Sequence, residues 1–157
     1  MTQTQPDSRE LVLVRVMDAP AARIYEAWTN PDILRQWFAP LPFTTPEAEI
    51  DLRVGGENRI VMQDPDGNRY PNAGVYLELV PNRKIVFTDA FRAGWRPSEK
   101  PFFVGEILLE DMAGGKTKYT ATVRHWTVED CQAHDAMGFY QGWGQCADQL
   151  AALLAEE

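Results

Sequence analysis

The chain has 157 residues, 45% hydrophobic and 24% charged, the composition of one ordinary globular domain. A domain of this length buries roughly 68–70% of its unfolded surface, so it needs neither disulfides nor a metal to fold. Fifteen basic against 23 acidic residues leave a net charge of −8. That charge argues against nucleic-acid and anionic-membrane binding, both of which need a basic face.

Residues 1–8 have neither the basic start nor the apolar centre of a signal peptide and read as a disordered tail. A single domain is expected over 9–157. No apolar stretch approaches the ~20 residues of a membrane-spanning helix. Arg9 to Met17 is rich in β-branched and aliphatic residues and reads as a strand. Asp18-Ala19-Pro20 opens a first short helix, whose Ile24, Ala27 and Trp28 share a face. Asn30-Pro31-Asp32 opens a second, with a capping Asn, a first-turn Pro and an acid. Ile33, Leu34, Trp37 and Phe38 form its apolar face, and Pro40 and Pro42 end it.

Six strand-like segments follow: Ala48–Val54, Asn58–Gln63, Arg69–Val80, Lys84–Phe91, Phe102–Glu110 and Lys116–Trp126. The breaks between most of them are short and rich in Gly, Pro, Asn and Asp, which predicts hairpins and an antiparallel meander. Alternation along Lys116–Trp126 turns Tyr119, Ala121, Val123 and His125 inward. In Asn58–Gln63 the inward pair is Ile60 and Met62. In Lys84–Phe91 the parity of Ile85 and Phe87 also carries Asp89, whose carboxylate then needs a partner; Arg53 and Arg59 are the candidates.

No proline follows Pro101. Thr127-Val128-Glu129-Asp130 resembles a capping box with Asp in the last place. Ala136, Phe139, Tyr140, Trp143, Ala147, Leu150 and Leu154 then recur at spacings of three and four, which predicts one amphipathic helix of about 25 residues. Gly138, Gly142 and Gly144 interrupt it, each at about 1 kcal/mol relative to Ala. On one helix, Cys131 and Cys146 lie about 22 Å apart, well beyond the ~7 Å a disulfide spans. Both are read as reduced, and the compartment as cytoplasmic. Strands in a run, closed by a long helix, indicate an α+β domain with that helix laid across the sheet.

Gly115-Lys116-Thr117 lacks the upstream glycine of a phosphate-binding loop and lies between strands, so it reads as a turn. His125 and His134 form no metal-binding pair, and Cys131 with His134 supplies too few ligands for zinc. Ser8 and Ser98 sit in no nucleophile elbow. No metal, no cofactor and no catalytic residue is assigned, and the sequence favours a non-catalytic role.

Four stretches resemble one family in order along the chain. Val14–Pro40 resembles the opening of proteins similar to the activator of the heat-shock-protein-90 ATPase. Asp51-Leu52-Arg53-Val54-Gly55-Gly56 resembles that family's Asp-x-Arg-x-Gly-Gly stretch, Gly74–Asp89 its next hairpin, and Gly142-Trp143 through Leu150 and Leu154 its terminal helix. The resemblance spans about residues 9–155. It implies the helix-grip fold of the START-like (SRPBCC) superfamily: a curved antiparallel sheet of six to seven strands wrapped on a long C-terminal helix, two short helices after strand one, and a cavity between sheet and helix. The ligand implied is a small hydrophobic molecule. The expected lining is Trp37, Phe43, Met62, Tyr76, Phe87, His125, Phe139, Tyr140 and Trp143, with Trp95 as a lid. Two alternatives stay open. One is a module that binds a chaperone partner, as the family's founding member does. The other is a cyclase- or hydrolase-type enzyme in the same cavity, for which His125 and Asp89 are the acid–base candidates. A homodimer is the base-rate assembly.

Overall fold

The structure, a computed structural model, describes residues 8–155. Residues 1–7 of the expected tail lie outside the described residues. Strand β1 (Glu10–Met17) runs into helices α1 (Ala21–Thr29) and α2 (Pro31–Leu34). Strands β2 (Thr44–Ile50), β3 (Glu57–Gln63), β4 (Arg69–Val80) and β5 (Lys84–Thr88) follow. A small hairpin of β6 (Phe91–Arg92) and β7 (Arg96–Pro97) precedes β8 (Phe103–Met112) and β9 (Lys116–His125). Helices α3 (Val128–Ala136) and α4 (Phe139–Ala155) close the chain.

Seven strands form one sheet in the order β1-β9-β8-β5-β4-β3-β2, every neighbouring pair antiparallel. This is the α+β architecture expected. Strands β1 and β2 are consecutive in the chain yet occupy opposite edges. The α1–α2 pair therefore has to carry the chain across the whole sheet, and it does so by burying Ile24, Ala27, Trp28, Leu34 and Trp37. From β9 come Tyr119, Ala121 and Val123, from α4 Phe139, Ala147, Leu150 and Leu154, all in the same core cluster. Among the described residues, no helix is long and apolar enough to cross a membrane.

Local signals account for the helix starts. The Asn30 side chain accepts from the Asp32 N–H at 2.9 Å with Pro31 in the first turn, as the sequence predicts. Thr127 Oγ1 accepts from the Asp130 N–H at 3.0 Å. Thr127→Ala leaves that donor without its cap and is expected to lower stability by about 1 kcal/mol. Urea unfolding would read this as a lower midpoint at unchanged slope; an unchanged midpoint would mean water replaces the cap fully.

The structure corrects the single C-terminal helix. Gly138 has φ +98°, a conformation that side-chain-bearing residues rarely adopt, and it separates α3 from α4. The reason is local: Met137 and Gly138 close α3 through N–H bonds to Ala133 O and Asp135 O. Gly144, in contrast, lies inside α4 and packs close to β1; a Cβ there would come within 2.8 Å of Arg15 Nη2. Several strand ends also move. The second strand spans Thr44–Ile50, not 48–54, because residues 51–56 fold back on themselves through Arg53 N–H to Asp51 O and Gly56 N–H to Arg53 O. Gly56 has to be glycine there, since a Cβ would lie 2.0 Å from the Asp51 carbonyl oxygen. The strand expected over 84–91 ends at Thr88, where the Thr88 hydroxyl accepts from Ala90 N–H and turns the chain away.

Candidate functional site

A continuous run of rings joins the helices to the sheet. Trp37 meets Trp28 at 5.1 Å between centroids, Trp28 meets Phe87 at 6.0 Å, and Phe87 meets Phe103 at 6.0 Å. Phe103 meets His134 at 5.9 Å, His134 meets Phe139 at 5.4 Å, and Phe139 meets Trp143 at 5.2 Å and Tyr140 at 5.0 Å. Such tilted and edge-on pairs at these spacings are each favourable beyond the area they bury. Gly105 on β8 creates room for this run: a Cβ at that position would stand 2.6 Å from Phe87 Cζ.

The run divides by burial. Trp37, Trp28 and Phe139 are closed off from solvent. Phe87, Phe103, Tyr140 and Trp143 pack against the core yet remain partly accessible. The polar atoms of the closed end are satisfied. Trp28 Nε1 donates to Tyr119 Oη at 3.2 Å, and Trp37 Nε1 donates to Ala27 O at 3.2 Å. Gln149 on α4 donates to Trp37 O at 3.0 Å and Ala39 O at 2.9 Å, tying the long helix to the helical pair.

His125 is turned inward at the end of β9, as strand parity predicts. Its Nδ1 lies 2.9 Å from Arg9 O, and its Nε2 lies 2.9 Å from His134 Nδ1. Burial, with a further contribution from His125, pushes the His134 pKa down to about 4. At neutral pH His134 is therefore uncharged. Burial also pushes the Cys146 thiol up to about 12 and raises that of Cys131, so neither cysteine offers a thiolate nucleophile.

Of the nine expected lining residues, Trp37, Phe87, Phe139, Tyr140 and Trp143 lie in this ring run, and His125 joins it through His134 at 5.1 Å. Tyr76 is buried in the same core cluster, and its hydroxyl pKa is raised, chiefly by burial. Phe43 lies elsewhere, tilted against Tyr70 at 5.9 Å, and with Trp37 and Gln149 it lines a surface depression of about 170 Å³. Met62 is partly buried on β3 beside Tyr70 in the strand register. Trp95 is half exposed in the β6–β7 hairpin, packed edge-on to Phe91 at 5.8 Å and lying over Gly55. Glu57 holds that hairpin, accepting from Arg92 Nε and Nη2 and from Ala93 N–H, all at 3.0 Å. A second depression, about 410 Å³, lies at the Arg9, Arg124 and Trp126 end of β1, β8 and β9.

Asp89 takes neither arginine as its partner. Its Oδ1 accepts from the Phe102 and Phe103 N–H groups at 2.8 and 3.2 Å, while Arg53 pairs with Asp51, and Arg59 with Glu47 and Glu49. Asp89 thus fixes the segment that delivers Phe102 and Phe103 to the site. Asp89 bonds to backbone amides, and His125 to Arg9 and His134, so the two acid–base candidates are not paired with each other. Sequence reasoning did not group Phe102, Phe103 and His134 with these rings. Phe103 had a usable signal, because it shares the inward parity of Gly105, Ile107 and Leu109 on β8. His134 had none, since its place follows from how α3 docks.

A seven-stranded antiparallel sheet closed by a C-terminal helix, with two short helices after strand one, defines a helix-grip protein. The comparisons with known proteins agree. Residues 18–155 match the family described as Activator of Hsp90 ATPase homolog 1-like protein, and the chain belongs to that family. It is similar to a protein of Nitrosomonas europaea solved by crystallography, at 36% identity over 94% of each chain and a TM-score of 0.90. A Chromobacterium violaceum protein is 29% identical, over 92% of this chain and 96% of the other, with a TM-score of 0.75. A Mycobacterium smegmatis protein shares the fold at 22% identity, over 98% and 96%, with a TM-score of 0.82. Comparison with functionally curated proteins gave no match.

Proposed function

We propose that this protein binds a small hydrophobic molecule along the ring run between the sheet and α4. The observation that carries the reading is the group Phe87, Phe103, Tyr140 and Trp143. These four large rings pack on the core but keep part of their surface in water, Phe87 against Phe103, and Tyr140 and Trp143 each against Phe139. Covering that surface with an apolar ligand gains roughly 25 cal/mol per Å² removed from water. The buried rings Trp28 and Phe139, each against members of that group, supply the floor on which such a ligand rests.

A thermal-shift panel of lipids, aromatic polyketide-like compounds and steroids tests this. A true ligand at 100 times its dissociation constant contributes about 2.7 kcal/mol, which raises the midpoint of a domain this size by roughly 5–10 °C. The expected shift is specific to one chemical class, is accompanied by a change in tryptophan fluorescence, and is lost in Trp143→Ala measured against that variant's own unliganded midpoint. A panel without any shift would overturn the reading.

A further inference from the structure

The direction of the hydrogen bonds at the histidine pair can be worked out from one fixed point. The Arg9 carbonyl can only accept, and His125 reaches it with both its backbone N–H at 2.8 Å and its ring Nδ1 at 2.9 Å. The His125 ring therefore carries its proton on Nδ1. With the His125 ring neutral, Nε2 is the acceptor, and the atom 2.9 Å from it, His134 Nδ1, is the donor. That leaves the proton of neutral His134 on Nδ1 and a lone pair on Nε2. No hydrogen-bond partner of Nε2 exists among the described residues.

The surroundings of that lone pair are aromatic. Phe102, Phe103 and Phe139 stand 5.0, 5.9 and 5.4 Å from the His134 ring, and Phe102 stands 5.4 Å from His125. His134, Phe102 and Phe103 are all partly buried, so the group is shielded but reachable from solvent. The low pKa of His134 keeps it an acceptor at neutral pH.

We infer that His134 Nε2 is the polar anchor of the binding site, and that the ligand it takes is an aromatic molecule bearing a hydroxyl group, whose O–H donates to Nε2 while its ring lies against the phenylalanines. This rests on the binding function proposed above and adds to it the chemical class of the ligand. The chain Arg9 C=O, His125, His134 acts as a positioning relay: each group fixes the tautomer of the next, and the last presents a lone pair to a donor. Apolar rings alone would not select a hydroxyl. The fixed acceptor does, because a donor brought to it replaces a bond to water, whereas a methyl group leaves the nitrogen unpaired.

The test is a matched pair of probes, 2-naphthol and 2-methylnaphthalene, titrated by fluorescence into the full-length protein and into His134→Phe, with circular dichroism as the check on folding. The two probes are nearly equal in shape, and the methyl compound is the more hydrophobic, so a site without an anchor prefers it. In the unaltered protein naphthol is expected to bind about five- to tenfold more tightly. In His134→Phe the order should reverse. Ring ¹⁵N spectra of the unaltered protein give a readout that needs no variant: naphthol should shift the His134 Nε2 resonance, and methylnaphthalene should leave it in place. Methylnaphthalene binding as tightly as naphthol, or an unmoved Nε2 resonance, would overturn the anchor and leave the hydrophobic site standing. Binding of neither probe would overturn the anchor, while the binding function itself is decided by the thermal-shift panel.

Discussion

Phe139→Ala is expected to cost about 3–5 kcal/mol of stability, the range for truncating a buried phenylalanine. Phe139 is 2% exposed and is the first residue of α4. Its ring is the junction of the aromatic run, touching His134 on α3 and both Tyr140 and Trp143 on its own helix. None of those partners can collapse freely into the space it would leave. His134 is tied to His125, and the helix that carries Tyr140 and Trp143 is tied through Gln149 to the carbonyls of Trp37 and Ala39. The loss should therefore lie in the upper half of the range. Against a typical total of about 5–15 kcal/mol, it would lower the melting midpoint by roughly 10–15 °C. Differential scanning calorimetry would measure it. Trp143→Ala provides the contrast: a larger side chain, only partly buried, should cost less than Phe139→Ala. Equal losses would mean that the division between a closed floor and an open rim is wrong.

That division was only half legible in the sequence. The alternation of Tyr119, Ala121, Val123 and His125 indicated which face of β9 turns inward, because side chains on a strand alternate with period two. The three- and four-residue spacing indicated the buried stripe of α4 in the same way. Both patterns are properties of a single element, and a single element can show them. The break at Gly138 was less visible, since a glycine within an apolar stripe is compatible with a continuous helix; what decides is that its φ is positive. Contacts between elements were not legible at all. Asp89 was expected to need a cation, yet two backbone N–H groups from the start of β8 satisfy it, and no sequence pattern reports where a neighbouring strand begins. The same holds for His134, whose partner lies nine residues earlier but on a strand whose end packs under α3. Met62 was grouped with the others by strand parity and Phe43 by its apolar loop, while β2 and β3 stand at the far edge of the sheet from β9.

His134 makes folding stability fall as the solution is acidified. The ordinary pKa of His134 is 6.5, and in the folded protein it is lowered to about 4 by burial and by His125. Between those values the unfolded chain takes up a proton that the folded chain refuses, so protonation favours unfolding. The contribution is complete above about pH 6.5 and is lost progressively as the pH falls toward 4. At 1.36 kcal/mol per unit of pKa difference, the loss between pH 7 and 4.5 amounts to about 2–3 kcal/mol, or roughly 5–10 °C in the midpoint. The carboxylates of Glu47, Glu57 and Asp64, which their hydrogen-bond partners hold below the usual range in the folded protein, begin to add to the loss near pH 5 as the unfolded chain protonates, and a variant at His134 retains that part unchanged. Urea unfolding at half-unit steps from pH 7.5 to 4.5 would trace the curve, and His134→Phe should flatten it by removing the titrating group while keeping a ring against Phe102 and Phe139. A profile equally steep in both proteins would assign the proton uptake to another group. A flat profile in the unaltered protein would mean that folded His134 titrates like a solvated imidazole. In that case the ring would not be held in one tautomer, and Nε2 could not serve as a fixed acceptor. The stability profile and the naphthol titration therefore examine the same nitrogen by independent routes, one through the proton it excludes and the other through the hydroxyl it takes.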